Sequence, residues 1–309
     1  MLLLVAHPRI EIGFPGHARR GTIGAVGAKR PVNSARVLRG IRGPVAASAL
    51  TLAMAVAPLA GCFTLDMPNP NFAHSSREIW DEWHRLRQDP RPLDRPVVVL
   101  NGYRGTMLRG LNLGADLAKL TSPDRQDFLV ISYPLASDIP TVARRVIDAV
   151  NARWPSPHPN HTIEVDVVGF SMGGLVARYA GAPTAHTGFE RHLHMNRLFT
   201  LATPHRGARG AVLAVDNAVA QMTPGAVFLS DLDECLHSCT FEIVPYAHTN
   251  DRIVGARNAA PPGQEPIWTA GTSLFSHFAI TTNRRVLVDI ARRLRGEAPL
   301  AMPSTPPSD

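Results

Sequence analysis

The chain predicts an α/β fold with a mainly parallel central sheet and helices on both faces. From Pro96 onward, short apolar runs alternate with helical patterns. The run Val97–Leu100 has no polar residue to mark a wet face, as expected of a strand covered on both sides. A third run, Ile163–Val168, leads straight into Gly169-Phe170-Ser171-Met172-Gly173 and then a helical pattern.

Each element follows from its residues. Ser75-Ser76-Arg77-Glu78 reads as a capping box, with Ile79, Trp80, Trp83 and Leu86 as the apolar stripe of the helix behind it. Val97–Leu100 is a strand and Leu111–Leu120 a helix. Phe128–Tyr133 is the next strand. Val142, Val146, Ile147 and Val150 mark an amphipathic helix. The strand ending at Val168 precedes a helix from about Met172, with Leu175, Val176 and Tyr179 in helical spacing and Gly181 and Pro183 as its stop. Arg197–Ala202, Phe241–Tyr246 and Pro266–Gly271 are later strands. Val286, Val288, Ile290 and Leu294 suit a closing helix. The Pro- and Ser-rich residues 302–309 are expected to be a flexible tail.

Net charge is confined to one end. Residues 1–61 hold eight basic residues against the single acid Glu11, which accounts for the whole formal charge of +7. The remainder is neutral, since 32 less 8 and 25 less 1 both leave 24. The body therefore carries no compositional case for a nucleic-acid partner. Arg39 and Arg42 precede an uncharged stretch from Gly43 to Gly61, the pattern of a secretion signal. It ends in Leu59-Ala60-Gly61-Cys62, which resembles the lipobox of bacterial lipoproteins. That resemblance implies cleavage before Cys62, lipid attachment there, and a membrane-anchored, exported protein. The alternatives are a core helix or a membrane span; a span needs about 20 apolar residues, and the stretch bounded by Pro44 and Pro58 is short for it. The leader before Val37 shows no steady period, and translation is expected to begin near Val37. The division is then leader and signal 1–61, tether 62–74, and one domain over 75–301.

Ser171 is the candidate nucleophile. A strand, a tight Gly-x-Ser-x-Gly turn and a helix present a serine hydroxyl on a sharp bend, with helix N–H groups aimed at it. Gly169 and Gly173 are needed because a Cβ would crowd the turn. The alternative is a glycine-rich turn without chemistry. A serine hydroxyl needs a base, and the base needs an orienting acid. Asp251 follows a late strand, and His277 lies before the final helix. His205 precedes Asp251, breaks the chain order Ser, acid, His, and is read as shaping the pocket. The oxyanion donors are expected to be the amides of Met172 and Tyr103, with Gly102 permitting the turn.

Gly-Phe-Ser-Met-Gly-Gly-Leu-Val-Ala-Arg-Tyr over 169–179 and Leu-Ala-Thr-Pro-His-Arg-Gly over 201–207 resemble blocks of the bacterial lipase/esterase branch of the α/β-hydrolase fold. Met222-Thr223-Pro224-Gly225 and Asn250-Asp251-Arg252-Ile253-Val254 resemble two further blocks. The likeness spans about residues 96–280. It implies an α/β-hydrolase that cleaves carboxylic esters, acyl-lipid esters among them, without a cofactor or metal. Two departures stand out. Asn101-Gly102 replaces the usual His-Gly, and Phe170 replaces a frequent His or Tyr; both are expected to tune substrate fit. Residues 208–234 would form a helical cap, with Ala211, Val212, Val215, Ala218 and Met222 as an apolar helix face over an acyl chain or as an ordinary packed helix. Cys235 and Cys239 are expected to pair in a local disulfide, the alternative being two free thiols. Rival functions are acyl transfer through the same acyl-enzyme and a non-catalytic binding protein on this fold.

Overall fold

In the computed structural model, residues 69–307 are described apart from 106, 135–137, 213–215 and 272–274. The leader, the signal segment and Cys62 lie outside the described residues. Helix α1 (Ser76–Gln88) opens with the capping box: Ser75 Oγ accepts the Glu78 N–H, and the Glu78 carboxylate accepts the Ser75 N–H. Then follow β1 (Val97–Leu100), α2 (Met107–Leu120), β2 (Phe128–Ile131), α3 (Ile139–Arg153) and β3 (Val165–Phe170). The bend at Ser171 leads into α4 (Met172–Ala180), with Gly181 as its C-cap. A single turn, α5 (Thr184–Thr187), precedes β4 (Met195–Leu201). After it come α6 (Asn217–Gln221), α7 (Val227–Glu234), β5 (Glu242–His248), β6 (Ile267–Thr269), α8 (Ser276–Ala279) and α9 (Arg284–Leu294).

All strand pairs are parallel, in the order β2-β1-β3-β4-β5-β6. Alternate residues of one strand serve opposite layers, as the period of two requires. Val98 and Leu100 pack with Val142, Val146, Leu175 and Val176 of α3 and α4. Val97 and Val99 pack with Leu86, Leu117, Leu287 and Ile290 of α1, α2 and α9. Continuous apolar strands are thus explained by two covered faces. The strand order reverses at β1, so the loops at the carboxyl ends of β1 and β3 open the crevice where such sheets place their sites. Among the described residues, no helix is long and apolar enough to cross a membrane.

The structure departs from the sequence reading in three places. The apolar pattern over 211–222 does not form one helix. A short 3₁₀ turn, Arg209–Val212, is followed by a fresh start at α6, because Asp216 caps it through Val219 N. Second, the C-terminal segment is held rather than free. Asp289 Oδ1 accepts the N–H groups of Leu300 and Ala301, and the Trp268 indole donates to Ser304 O at 2.9 Å. Third, packing begins before residue 75. Phe72 is buried, Asn71 Oδ1 accepts the Trp268 N–H, and Asn71 Nδ2 donates to Ser304 Oγ at 2.7 Å.

Candidate active site

Four carboxyl-end loops converge. Ser171 ends β3 at φ 52 and ψ −123, a region that side chains other than glycine rarely adopt. The surroundings hold it there. Its N–H donates to Leu201 O at 2.9 Å, and its carbonyl accepts the Gly174 N–H at 3.1 Å. A Cβ on Gly169 would stand 2.6 Å from Gly174 N, and one on Gly173 would stand 2.6 Å from Leu100 O. A side chain at either position would collide with backbone atoms. Gly174 was not anticipated: a Cβ there would meet Thr203 Oγ1 at 2.2 Å.

His277 Nε2 lies 3.1 Å from Ser171 Oγ, and His277 Nδ1 lies 2.8 Å from Asp251 Oδ2. Asp251 comes from the loop after β5, and its Oδ1 accepts the N–H groups of Ile253 at 2.9 Å and Val254 at 3.0 Å. Burial alone would push this carboxyl up. The His277 hydrogen bond and charge and the two amides outweigh it, so its pKa falls below the ordinary value. An ionised carboxylate only accepts, so the proton sits on His277 Nδ1 and the Nε2 lone pair faces Ser171.

The base is seated by residues that the sequence reading missed. His248, at the end of β5, donates through Nδ1 to Ser276 O at 2.6 Å and accepts from Asn283 Nδ2 at 3.0 Å. Ser276 Oγ in turn donates to Asn250 O at 2.7 Å. The segments carrying Asp251 and His277 are therefore stitched together on both sides. His248's place on the strand that delivers Asp251 was the available signal. Phe170 packs against the base: it is buried, with its ring 5.1 Å from that of His277.

His205 is fully buried behind the site. Its Nε2 bonds Thr200 Oγ1 at 3.0 Å, and its Nδ1 faces Arg178 Nη1 at 3.2 Å. Burial, and then the charges of Arg178 and Arg206, hold its pKa well below the usual value. It lines no open surface, and its two ring nitrogens are taken up by α4 and β4. On the other side, the loop after β1 lies against the elbow, since a Cβ on Gly102 would stand 3.2 Å from Ser171 Cβ. Met172 opens α4, so its N–H belongs to the first turn that no helical carbonyl satisfies.

Cys235 and Cys239 are free thiols, and the expected disulfide is not formed. Residues 235–238 wind as a 3₁₀ turn with three residues per turn, so positions four apart point in different directions. Burial pushes the Cys239 thiol up to about 11. Among the described residues, no group of three His, Cys, Asp or Glu side chains could hold a metal ion.

Residues 135–224 match the family model described as "Putative serine esterase (DUF676)". That span contains Ser171 and His205, while Asp251 and His277 lie beyond its end. No curated protein matches the chain. Among solved structures, the chain is similar to the mature form of Bacillus licheniformis lipase BlEst2, with 18% identity, 70% of this chain and 95% of that one covered, and a TM-score of 0.46. It is also similar to Aspergillus fumigatus lipase B, at 16% identity, 69% and 54% coverage and a TM-score of 0.45. A lipase-esterase related protein from Clostridium acetobutylicum is similar at 9% identity, 65% and 95% coverage and a TM-score of 0.42.

Proposed function

We propose that this chain is a carboxylic ester hydrolase of the lipase and esterase group of the α/β-hydrolase superfamily, supported by the serine esterase model matched over residues 135–224, and that it cleaves acyl-lipid esters through an acyl-enzyme on Ser171. The observation that carries this reading is the unbroken hydrogen-bonded line from Asp251 through His277 to Ser171.

In the proposed sequence, Ser171 Oγ attacks the ester carbonyl carbon as His277 Nε2 takes the hydroxyl proton. The carbonyl oxygen becomes an oxyanion, held by the amides of Met172 and Tyr103. Asp251 stabilises the imidazolium formed on His277. The tetrahedral adduct collapses, the ester C–O bond breaks, and His277 gives its proton to the departing alcohol. Water then attacks the acyl-enzyme with His277 again as base, releasing the acid and restoring Ser171.

An apolar substrate is supported by what flanks His277. Leu108, Phe275 and Phe278 are exposed, and with Arg109 they border a groove of about 380 Å³. Export and a lipid anchor at Cys62 complete the proposal and rest on the residues Leu59-Ala60-Gly61-Cys62. Labelling with a fluorophosphonate probe, with Ser171→Ala as control, tests the nucleophile. A p-nitrophenyl ester series from acetate to palmitate then tests the acyl preference. Equal labelling of Ser171→Ala would overturn the proposal, and activity confined to the shortest esters would remove its lipid part. Incorporation of labelled palmitate, absent in Cys62→Ala, tests the anchor.

A further inference from the structure

Asp216 uses its two oxygens for two different parts of the molecule. Oδ1 accepts the Val219 N–H at 3.0 Å and caps α6. Oδ2 accepts the hydroxyl of Tyr103, on the loop that follows β1. The Arg104 guanidinium stands 3.4 Å from the same oxygen and 5.2 Å from the Tyr103 ring centre. The other end of α6 is fastened as well, where Gln221 Oε1 accepts the Ile139 N–H at 2.8 Å.

The loop needs such a hold. Arg104 has φ 46, a left-handed backbone that a side chain other than glycine keeps only when its surroundings impose it. From inside, the turn is closed by Gly105 N donating to Gly102 O at 3.0 Å. From outside, it is held by the Tyr103–Asp216 contact. Burial and then the adjoining carboxylate raise the Tyr103 pKa, and the Tyr103 hydrogen bond lowers that of Asp216. Near neutral pH the phenol therefore donates and the carboxylate accepts.

We infer that Asp216 is a positioning residue for ester cleavage: through the Tyr103 hydroxyl it fixes the loop that aims the Tyr103 amide at the oxyanion. The inference rests on the reading of Ser171 as nucleophile and of that amide as donor. A preset donor is useful only while it points at the developing charge, and removing one outright costs about 10²–10³ in kcat. Loosening it costs part of that. Asp216 touches the loop and the cap rather than the ester, so binding of a short soluble ester is unchanged.

Tyr103→Phe, Asp216→Asn and the double variant of the full chain test this with p-nitrophenyl butyrate. Asparagine caps a helix about as well as aspartate, so Asp216→Asn keeps α6 while removing the charged acceptor. Tyr103→Phe keeps the ring and the loop backbone. We expect kcat to fall about tenfold or more in each single variant with KM held within about twofold, and the double to be no worse than the weaker single. Loss of folding in Asp216→Asn leaves Tyr103→Phe to decide. Parental kcat in Tyr103→Phe, or losses that multiply in the double, would overturn the inference. Fluorophosphonate labelling run to completion separates the two levels. Retained labelling in these variants with none in Ser171→Ala leaves the nucleophile standing, whereas labelling of Ser171→Ala removes the underlying reading instead.

Discussion

Arg178 on α4 donates to His205 Nδ1 at 3.2 Å and, through Nη2, to Leu232 O and Asp233 Oδ1, both at 2.9 Å. One buried guanidinium therefore ties the helix behind Ser171 to α7. Arginine has no acceptor, so His205 must be neutral, with its proton on Nε2 facing Thr200.

Stability is expected to fall on acidification because of this arrangement. A neutral histidine whose folded pKa is depressed binds its proton more readily in the unfolded chain. His205 therefore favours folding fully above the unfolded value of about 6.5, and that contribution is lost as pH drops below it. His248, depressed chiefly by burial, acts in the same direction. Each contributes a slope of at most about 1.4 kcal/mol per pH unit below that point. Urea midpoints at pH 7, 6 and 5 should decline, and His205→Gln should flatten the curve. A parental curve as flat as that of the variant would contradict this account of the pair.

Ser171→Gly should stabilise the chain relative to Ser171→Ala. A non-glycine residue at φ 52 stores about 1–3 kcal/mol, which alanine keeps and glycine releases. Glycine also makes the unfolded chain more flexible, which offsets about 0.5–1 kcal/mol. The net gain is about 1 kcal/mol, readable as a higher melting temperature, with both variants inactive. Equal melting temperatures would mean that the bend is unstrained.

Asp251→Asn should leave the fold intact and cut kcat by about 10⁴. The asparagine oxygen would keep the Ile253 and Val254 amides, so its NH₂ would face His277 Nδ1. That forces the imidazole proton onto Nε2, against Ser171. Steady-state kinetics with a circular-dichroism control measures this, and a loss below about tenfold would show that Asp251 does not set the tautomer.

Much of this was legible in the sequence because local pattern decides it. The apolar run before Gly169 and the spacing Leu175, Val176, Tyr179 gave both elements of the elbow. Place in the chain pattern, Asp251 after a late strand and His277 before the final helix, together with the order Ser, acid, His singled out two residues that the structure brings into one hydrogen-bonded line with Ser171. What escaped depends on distant partners. Nothing near Gly174 indicates that Thr203 will lie against it, and nothing near residue 216 reveals Tyr103, more than a hundred residues earlier. The apolar residues at 211–222 fit one helical face, but periodicity does not register that Asp216 prefers to start a helix over continuing one. Residues 302–309 have a loop composition, yet Ser304 is held by a tryptophan whose indole N–H needs an acceptor.

Cys235 and Cys239 should both count as thiols without reductant. Titration of the unfolded chain with Ellman's reagent should find them, and a bridged pair would register neither. In the folded chain, a Cys239 pKa of about 11 leaves little thiolate at pH 8, so alkylation there should be slow.

The Asn71 and Ser304 segments form a clasp on β6, the last strand of the sheet, and it bears on association between molecules. A bare edge strand is a template on which another chain can add itself. Here the Asn71 carboxamide occupies the Trp268 N–H, and Ser304 N–H reaches Pro266 O at 3.5 Å. Residues far apart along the chain cover this one short edge. A second molecule could extend the sheet at β6 only after both segments had peeled away, so the clasp works as a guard against aggregation.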